Sequence, residues 1–107
     1  MRVYIAGPIT GVENYEENFR KEERKLKEAG HTVFNPAEIG KKLEKMRAGE
    51  KISHEQYMSY LLPYLLQADA VCMIDGWENS EGARLEHDVA KATGKTFIKV
   101  KVVSRKW

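Results

Sequence analysis

Asp75-Gly-Trp-Glu-Asn-Ser80-Glu-Gly82-Ala-Arg-Leu-Glu86 is the stretch on which the reading of this chain turns. It follows an apolar run, Ala70-Val-Cys-Met-Ile74, and leads into a helical pattern over 80–93 that Gly94 ends. A strand therefore runs into a loop, and the loop into a helix that opens on Ser80, a natural N-cap. The first amides of such a helix lack intrahelical partners and sit at the positive end of its dipole, which suits an anion. Glu86 stands one turn above Gly82 on the same helix face. A phosphate cradle with a carboxylate beside it points to a nucleotide or sugar phosphate handled by chemistry at carbon.

Working outward, residues 2–6 form a short apolar strand stopped by Gly7-Pro8. Asn14, with Glu17 three residues on, approaches a capping box. Tyr15, Phe19, Leu26 and Ala29 recur at helical spacing, and Gly30 is placed to end that helix. His31–Asn35 reads as a second strand, stopped by Pro36, and 37–47 as a polar helix with few apolar anchors. Residues 47–51 read as an exposed loop. Ser53 with Gln56 gives a second capping box, opening a helix to about Gln67. Pro63 inside it is expected to kink or split the helix, because proline lacks the N–H and clashes with the carbonyl four residues back. Strand three is expected over 69–75, and a last strand over 96–103, with Ile98, Val100 and Val102 on one face and Lys99 and Lys101 on the other. That polar face suggests a sheet edge.

The order β-α-β-(α)-α-β-α-β implies an α/β fold: a doubly wound parallel sheet of four to five strands, a flavodoxin- or Rossmann-like three-layer sandwich. Right-handed crossovers place ligands at the carboxyl ends of the strands, where strand order reverses. Those ends carry Gly7-Pro-Ile-Thr-Gly11, Asn35-Pro36 and Asp75 to Gly82, so the marked loops are expected on one edge of the sheet.

The bulk numbers fit that picture. The chain has 107 residues, read as one domain over 1–107, with 42% hydrophobic and 32% charged residues, which suits a soluble globule. Net charge is only +2 with both signs interspersed, which argues against a nucleic-acid polymer as the main partner. Small anionic ligands need local rather than global charge. The one cysteine, Cys72, lies inside an apolar strand and permits neither a disulfide nor a cysteine-based metal site. The chain opens on a strand with no signal-peptide pattern, and no apolar run approaches the roughly 20 residues of a membrane span. A cytoplasmic location without membrane association is the default expectation.

Glu86 shares its helix face with Gly82, Ala83, Ala90 and Thr93, whereas Leu85, Val89 and Ala92 look like the core stripe. A carboxylate on a small-residue face over a cleft would be partly desolvated and tuned for catalysis; the plainer reading is a surface Glu paired with Arg84, Lys91 or another cation. Ser80 is explained by capping or by phosphate binding. Gly7 and Gly11 are explained by turn chemistry or by close backbone approach to a ligand. Their spacing fits neither a dinucleotide fingerprint nor a P-loop. Tyr4 sits in a strand, and its hydroxyl needs a partner. His31, His54 and His87 are scattered, so no metal site is expected. Tyr57, Tyr60 and Tyr64 share one helix and suggest core or subunit packing. The basic tail, Lys101 to Lys106, reads as a solvated end, with Trp107 covering some surface.

Taken together, three segments resemble the nucleoside 2-deoxyribosyltransferase superfamily, and most closely its small phage and bacterial members. They are Tyr4-Ile-Ala-Gly-Pro-Ile-Thr-Gly11, Gly30-His-Thr-Val-Phe-Asn-Pro36, and Ala68-Asp69 through Gly76-Trp-Glu-Asn-Ser80-Glu-Gly-Ala-Arg-Leu-Glu86. The resemblance covers nearly the whole chain and is weakest over 37–55. It implies cleavage of the N-glycosidic bond of 2′-deoxynucleosides or their 5′-monophosphates, without a cofactor. It puts Glu86 at the position of a nucleophile that attacks C1′, and Tyr4 at that of a tyrosine positioning the carboxylate. Gly7, Pro8, Ile9, Thr10, Gly11, Asn35, Ser80 and Gly82 would bind substrate. Serine at 80, where transferases of free nucleosides carry an acid, favours a 5′-monophosphate, because a carboxylate would repel phosphate. The resemblance also implies a homo-oligomer, at least a dimer.

Two departures bear on the chemistry. Leu61 stands where related enzymes carry an aspartate that helps protonate the leaving base; Asp75 or Glu55 are the candidate substitutes. Thr10 stands where monophosphate hydrolases carry arginine. Hydrolysis, deoxyribosyl transfer to another base, and a catalytically weak nucleotide-binding module of the same fold all remain open at this point.

Overall fold

The structure, a computed structural model, describes residues 1–100. The elements run β1 (Arg2–Ala6), α1 (Tyr15–Glu28), β2 (Thr32–Phe34), α2 (Pro36–Met46), α3 (His54–Gln67), β3 (Ala70–Met73), a 3-10 turn (Trp77–Asn79), α4 (Glu81–Ala92) and β4 (Thr96–Phe97). Among the described residues the four strands make one sheet in the order β2-β1-β3-β4, every pair parallel. This is the expected doubly wound arrangement. The order reverses between β1 and β3, so the carboxyl ends of those two strands flank the switch point.

Alternation along β1 sets the layers. Val3 and Ile5 face one way and join Phe19 and Leu26 of α1, with Ala70, Cys72 and Ile74, in one core. Tyr4 and Ala6 face the other way and join Leu65 and Ala68 from α3 and its end, Val71, and Ala90 of α4. Helix α1 thus covers one face, and α3 and α4 the other. Cys72 is buried, and its thiol donates to the buried Glu22 carboxylate at 3.6 Å. Burial, then the Glu22 charge, pushes that thiol up to about 12, which leaves it inert.

Several local expectations need correction. Asn14 occupies the N-cap position of α1 but makes no side-chain cap; Glu17 pairs instead with Arg20 at 2.8 Å. The Ser53–Gln56 capping box is complete. Pro63 does not split α3, which runs unbroken over His54–Gln67. Pro63 and Ser59, whose carbonyl loses its donor, are both exposed, so water can satisfy the freed group. Strands β2 and β3 are shorter than read. Strand β4 is an edge strand of Thr96–Phe97, with Ile98 still bonded to the Val71 carbonyl at 3.0 Å and Ile98 and Val100 packed on the α1-side core. The expected continuation through 103, including Lys101 and Val102, and the basic tail to Trp107 lie outside the described residues.

The core stripe of α4 is also different. Its buried residues are Ala83, Glu86 and Ala90, whereas Leu85 is 43% exposed and Ala92 is exposed. Small residues let α4 approach the sheet closely, and Glu86 occupies the place a hydrophobe would take because Tyr4 meets it there.

Candidate active site

The loops at the carboxyl ends of β1 and β3, with α2, α3 and the start of α4, enclose a cleft of about 560 Å³. Clefts of roughly 300–1,000 Å³ suit small molecules. Gly7, Ile9 and Thr10 line it from the first loop, and Ser80, Gly82 and Glu86 from the last.

Glu86 is the centre of this site. Its residue is 5% exposed, and it accepts a hydrogen bond from the Tyr4 hydroxyl across 82 positions of sequence. No cation pairs with it among the described residues, so the surface ion-pair reading fails. Burial raises its carboxyl from 4.5 to about 7, and the Tyr4 hydroxyl acts in the opposite sense. Tyr4 itself is held well above its ordinary value, by burial first and then by the Glu86 charge, and stays a donor. A carboxylate that ionises near neutrality, held by one phenol at the wall of a cleft, can act as a nucleophile or a proton carrier.

Ser80 caps α4: its hydroxyl oxygen accepts from the Ala83 amide at 3.2 Å, and its carbonyl from the Arg84 amide at 2.9 Å. The amides of Glu81 and Gly82 are left without intrahelical partners at the cleft wall. A Cβ on Gly82 would lie 3.1 Å from His54 Cε1 and 3.8 Å from Met58 Sδ, so the missing side chain keeps α3 and α4 close while leaving room in the cleft. Gly7 has a packing reason: a Cβ there would fall 2.7 Å from Ile74 Cβ, where β1 and β3 end side by side. Gly11 is a turn residue, with φ of +78°.

Other expected residues are not brought to the cleft. Asp75 points away: its side chain is 99% exposed and pairs with Lys99 at 2.8 Å, a bond that holds its carboxyl below the usual range. Asp75 follows β3, and Lys99, beyond β4 at the neighbouring edge, captures it. Glu55 is exposed and does not line the cleft. Pro8 and Gly11 lie in the first loop but not on the cleft wall. Asn35 is buried and structural: its side chain caps α2 at the Ala37 amide (2.9 Å) and donates to Glu23 (2.8 Å). Leu61 does line the cleft, buried and apolar, where the resemblance led to the expectation of an acid.

Beside Leu61, one face of α3 brings further residues to the cleft. His54, Tyr57, Met58 and Leu61 present one face of α3 to it at i, i+3, i+4 and i+7. Tyr57 packs its ring on α2 and also donates its hydroxyl to Glu44 of that helix at 2.7 Å. Tyr64 does pack, edge-on against Phe34 with centroids 5.6 Å apart, and Tyr60 tilts against Tyr64. Three glutamates, Glu44, Glu81 and Glu86, line the cleft with no Lys or Arg, so His54 is its one side chain able to carry positive charge among the described residues.

No helix among the described residues is long and apolar enough to cross a membrane. No curated protein matches the chain. Its fold is similar to a solved structure of the 2-deoxyribosyltransferase from the psychrotolerant bacterium Bacillus psychrosaccharolyticus, with 24% identity and a TM-score of 0.62 over 91% of this chain and 69% of that one. The model of the domain of unknown function DUF4406 matches residues 1–99, and the chain belongs to that family.

Proposed function

We propose that this protein cleaves the N-glycosidic bond of 2′-deoxynucleoside 5′-monophosphates, with Glu86 as the nucleophile. The observation that carries this reading is the buried Glu86, held by Tyr4 and set one turn from a capped helix start in a cleft of nucleotide size. The fold shared with a 2-deoxyribosyltransferase supports it. The Glu86 carboxylate attacks C1′ and forms an ester, while the electrons of the breaking C1′–N bond pass to the base nitrogen, which takes up a proton. Water then attacks C1′, releasing the sugar with retained configuration and returning Glu86 to its carboxylate; a second base in place of water gives transfer.

The remaining parts take roles by position. The free amides of Glu81 and Gly82 and the Ser80 hydroxyl receive the 5′-phosphate. His54 supplies the proton for the leaving base in place of the acid missing at Leu61. Its ring lies against Gly82, which stands one helical turn before Glu86 on the same face of α4.

A second reading, a catalytically weak nucleotide-binding module, is favoured by the apolar Leu61. Incubation with a panel of 2′-deoxynucleotides and the matching deoxynucleosides, followed by chromatography for free base, separates the readings. Base release from the monophosphates, abolished in Glu86→Gln, is expected. Saturable binding without release supports the module. Faster release from free nucleosides overturns the phosphate assignment, which the lack of Lys and Arg among the described residues lining the cleft makes a pointed test.

A further inference from the structure

The α2 side of the cleft, with Tyr57 of α3 against it, contains a carboxylate with no counter-charge among the described residues. Pro36, Ala37, Gly40 and Glu44 present one face of α2 to the cleft. Gly40 lacks the side chain that would displace the Tyr57 ring, which comes within 3.7 Å of where a Cβ would stand. The ring therefore seats on α2, and its hydroxyl reaches Glu44 Oε1 at 2.7 Å. Glu44 has no cation partner among the described residues. The nearest lysine of α2 on that side, Lys41, is taken by Glu16 at 2.8 Å and approaches Glu38 at 3.9 Å. The hydrogen bond to Glu44, followed by burial, pushes the Tyr57 phenol up to about 12, so it remains a donor through the physiological range. One oxygen of Glu44 is thereby fixed, and Oε2 has no hydrogen-bond partner among the described residues.

With the sugar at Glu86 and the 5′ end at Ser80, the base extends toward this wall. This orientation rests on the function proposed above. A fixed carboxylate accepts hydrogen bonds and donates none. It attracts an exocyclic amino group and repels a carbonyl oxygen in the same place; carboxylates accept from the cytosine amino group in the same way in nucleic-acid recognition. We propose that Glu44, oriented by Tyr57, selects nucleotides whose base presents an exocyclic amino group. Cytosine and adenine meet this requirement, and their deaminated counterparts uracil and hypoxanthine do not. An oxo group in that place loses the hydrogen bond and brings its partial negative charge against the carboxylate, so the discrimination comes from both terms.

The test compares matched pairs that differ in this one group, dCMP with dUMP and dAMP with dIMP. Dissociation constants are measured by calorimetry on the full-length Glu86→Gln protein, and kcat/KM for base release on the wild type. The expected result is tighter binding of the amino member, by roughly tenfold or more, in the pair that binds better. Glu44→Gln, at an exposed position, is expected to keep the melting temperature within a few degrees and to reduce that ratio to about twofold or less. Tyr57→Phe frees the carboxylate and is expected to reduce the ratio partway. Equal binding within each pair, preference for the oxo member, or an unchanged ratio in Glu44→Gln overturns the proposal. Discrimination in binding with no base release from any nucleotide leaves this selection standing and removes the glycosidase reading. Failure of every nucleotide to bind removes both.

Discussion

Replacing Glu86 by glutamine keeps the shape and an acceptor for the Tyr4 hydroxyl but removes the ionisation. The consequences for stability follow from the displaced titration. The carboxyl moves from 4.5 in an ordinary setting to about 7 in the folded protein, chiefly through burial. Below pH 4.5 the group is neutral in both folded and unfolded chains. Between 4.5 and 7 the unfolded chain releases a proton that the folded chain keeps, so wild-type stability falls as pH rises, and the loss is complete above about 7. At roughly 1.4 kcal/mol per pH unit this amounts to about 3 kcal/mol. Glutamine has no such titration. Glu86→Gln is therefore expected to match the wild type near pH 4 and to exceed it by about 3 kcal/mol at pH 8, or roughly 10–20 °C in melting temperature for a chain of this size. Denaturant unfolding at five or six pH values between 4 and 8 measures the difference. Curves that stay parallel across that range, or a variant less stable than wild type at pH 8, refute the claim that burial holds this carboxylate ready near neutrality. The same substitution should lower base release by roughly 10³-fold or more, the cost of losing a covalent nucleophile.

Four further outcomes are expected. Tyr4→Phe removes the hydroxyl that favours the charged form of Glu86, so the rising limb of the pH–rate profile should move to higher pH, with a stability cost of about 1–3 kcal/mol read by urea unfolding. Ser80→Ala should cost about 1 kcal/mol through the lost cap, and should weaken monophosphate binding more than binding of the free nucleoside in parallel titrations. Gly82→Ala adds helix propensity worth up to about 1 kcal/mol while pushing on the exposed His54 ring, so stability should hold or rise as nucleotide affinity drops. His54→Ala should slow base release most for substrates with poor leaving bases, and a pre-protonated or activated leaving group should recover much of the rate.

The strand–loop–helix at 70–93 was legible because each local signal agreed with its neighbours: an apolar strand, a Ser80 cap and small residues at Gly82 and Ala83. The parallel, doubly wound class followed from the alternation of strands and helices, whereas the order β2-β1-β3-β4 emerges only in the fold. The buried face of α4 was not legible by the same logic. Hydrophobic periodicity selects Leu85, Val89 and Ala92, of which Val89 does pack on the core, but the face against the sheet is set by close approach through Ala83 and Ala90 and by the Tyr4–Glu86 bond, a pairing 82 residues apart. Asp75 misled for a similar reason, since its partner Lys99 lies across the sheet. The α2–α3 wall escaped because its residues meet only in the tertiary fold. The spacing of His54, Tyr57, Met58 and Leu61 was visible as one helix face, yet nothing local distinguished a cleft lining from a core stripe. Glu44 sat in the least distinctive part of the chain, and only the Tyr57 hydroxyl marks it.

The most direct measurement is intact-protein mass spectrometry of the wild type mixed rapidly with a 2′-deoxynucleoside 5′-monophosphate and quenched in acid, followed by peptide mapping. A nucleophilic Glu86 predicts a transient adduct with the mass of a deoxyribosyl phosphate on the peptide containing Glu86, absent in Glu86→Gln. Base released at the wild-type rate by Glu86→Gln, or an adduct mapped to another residue, would contradict it.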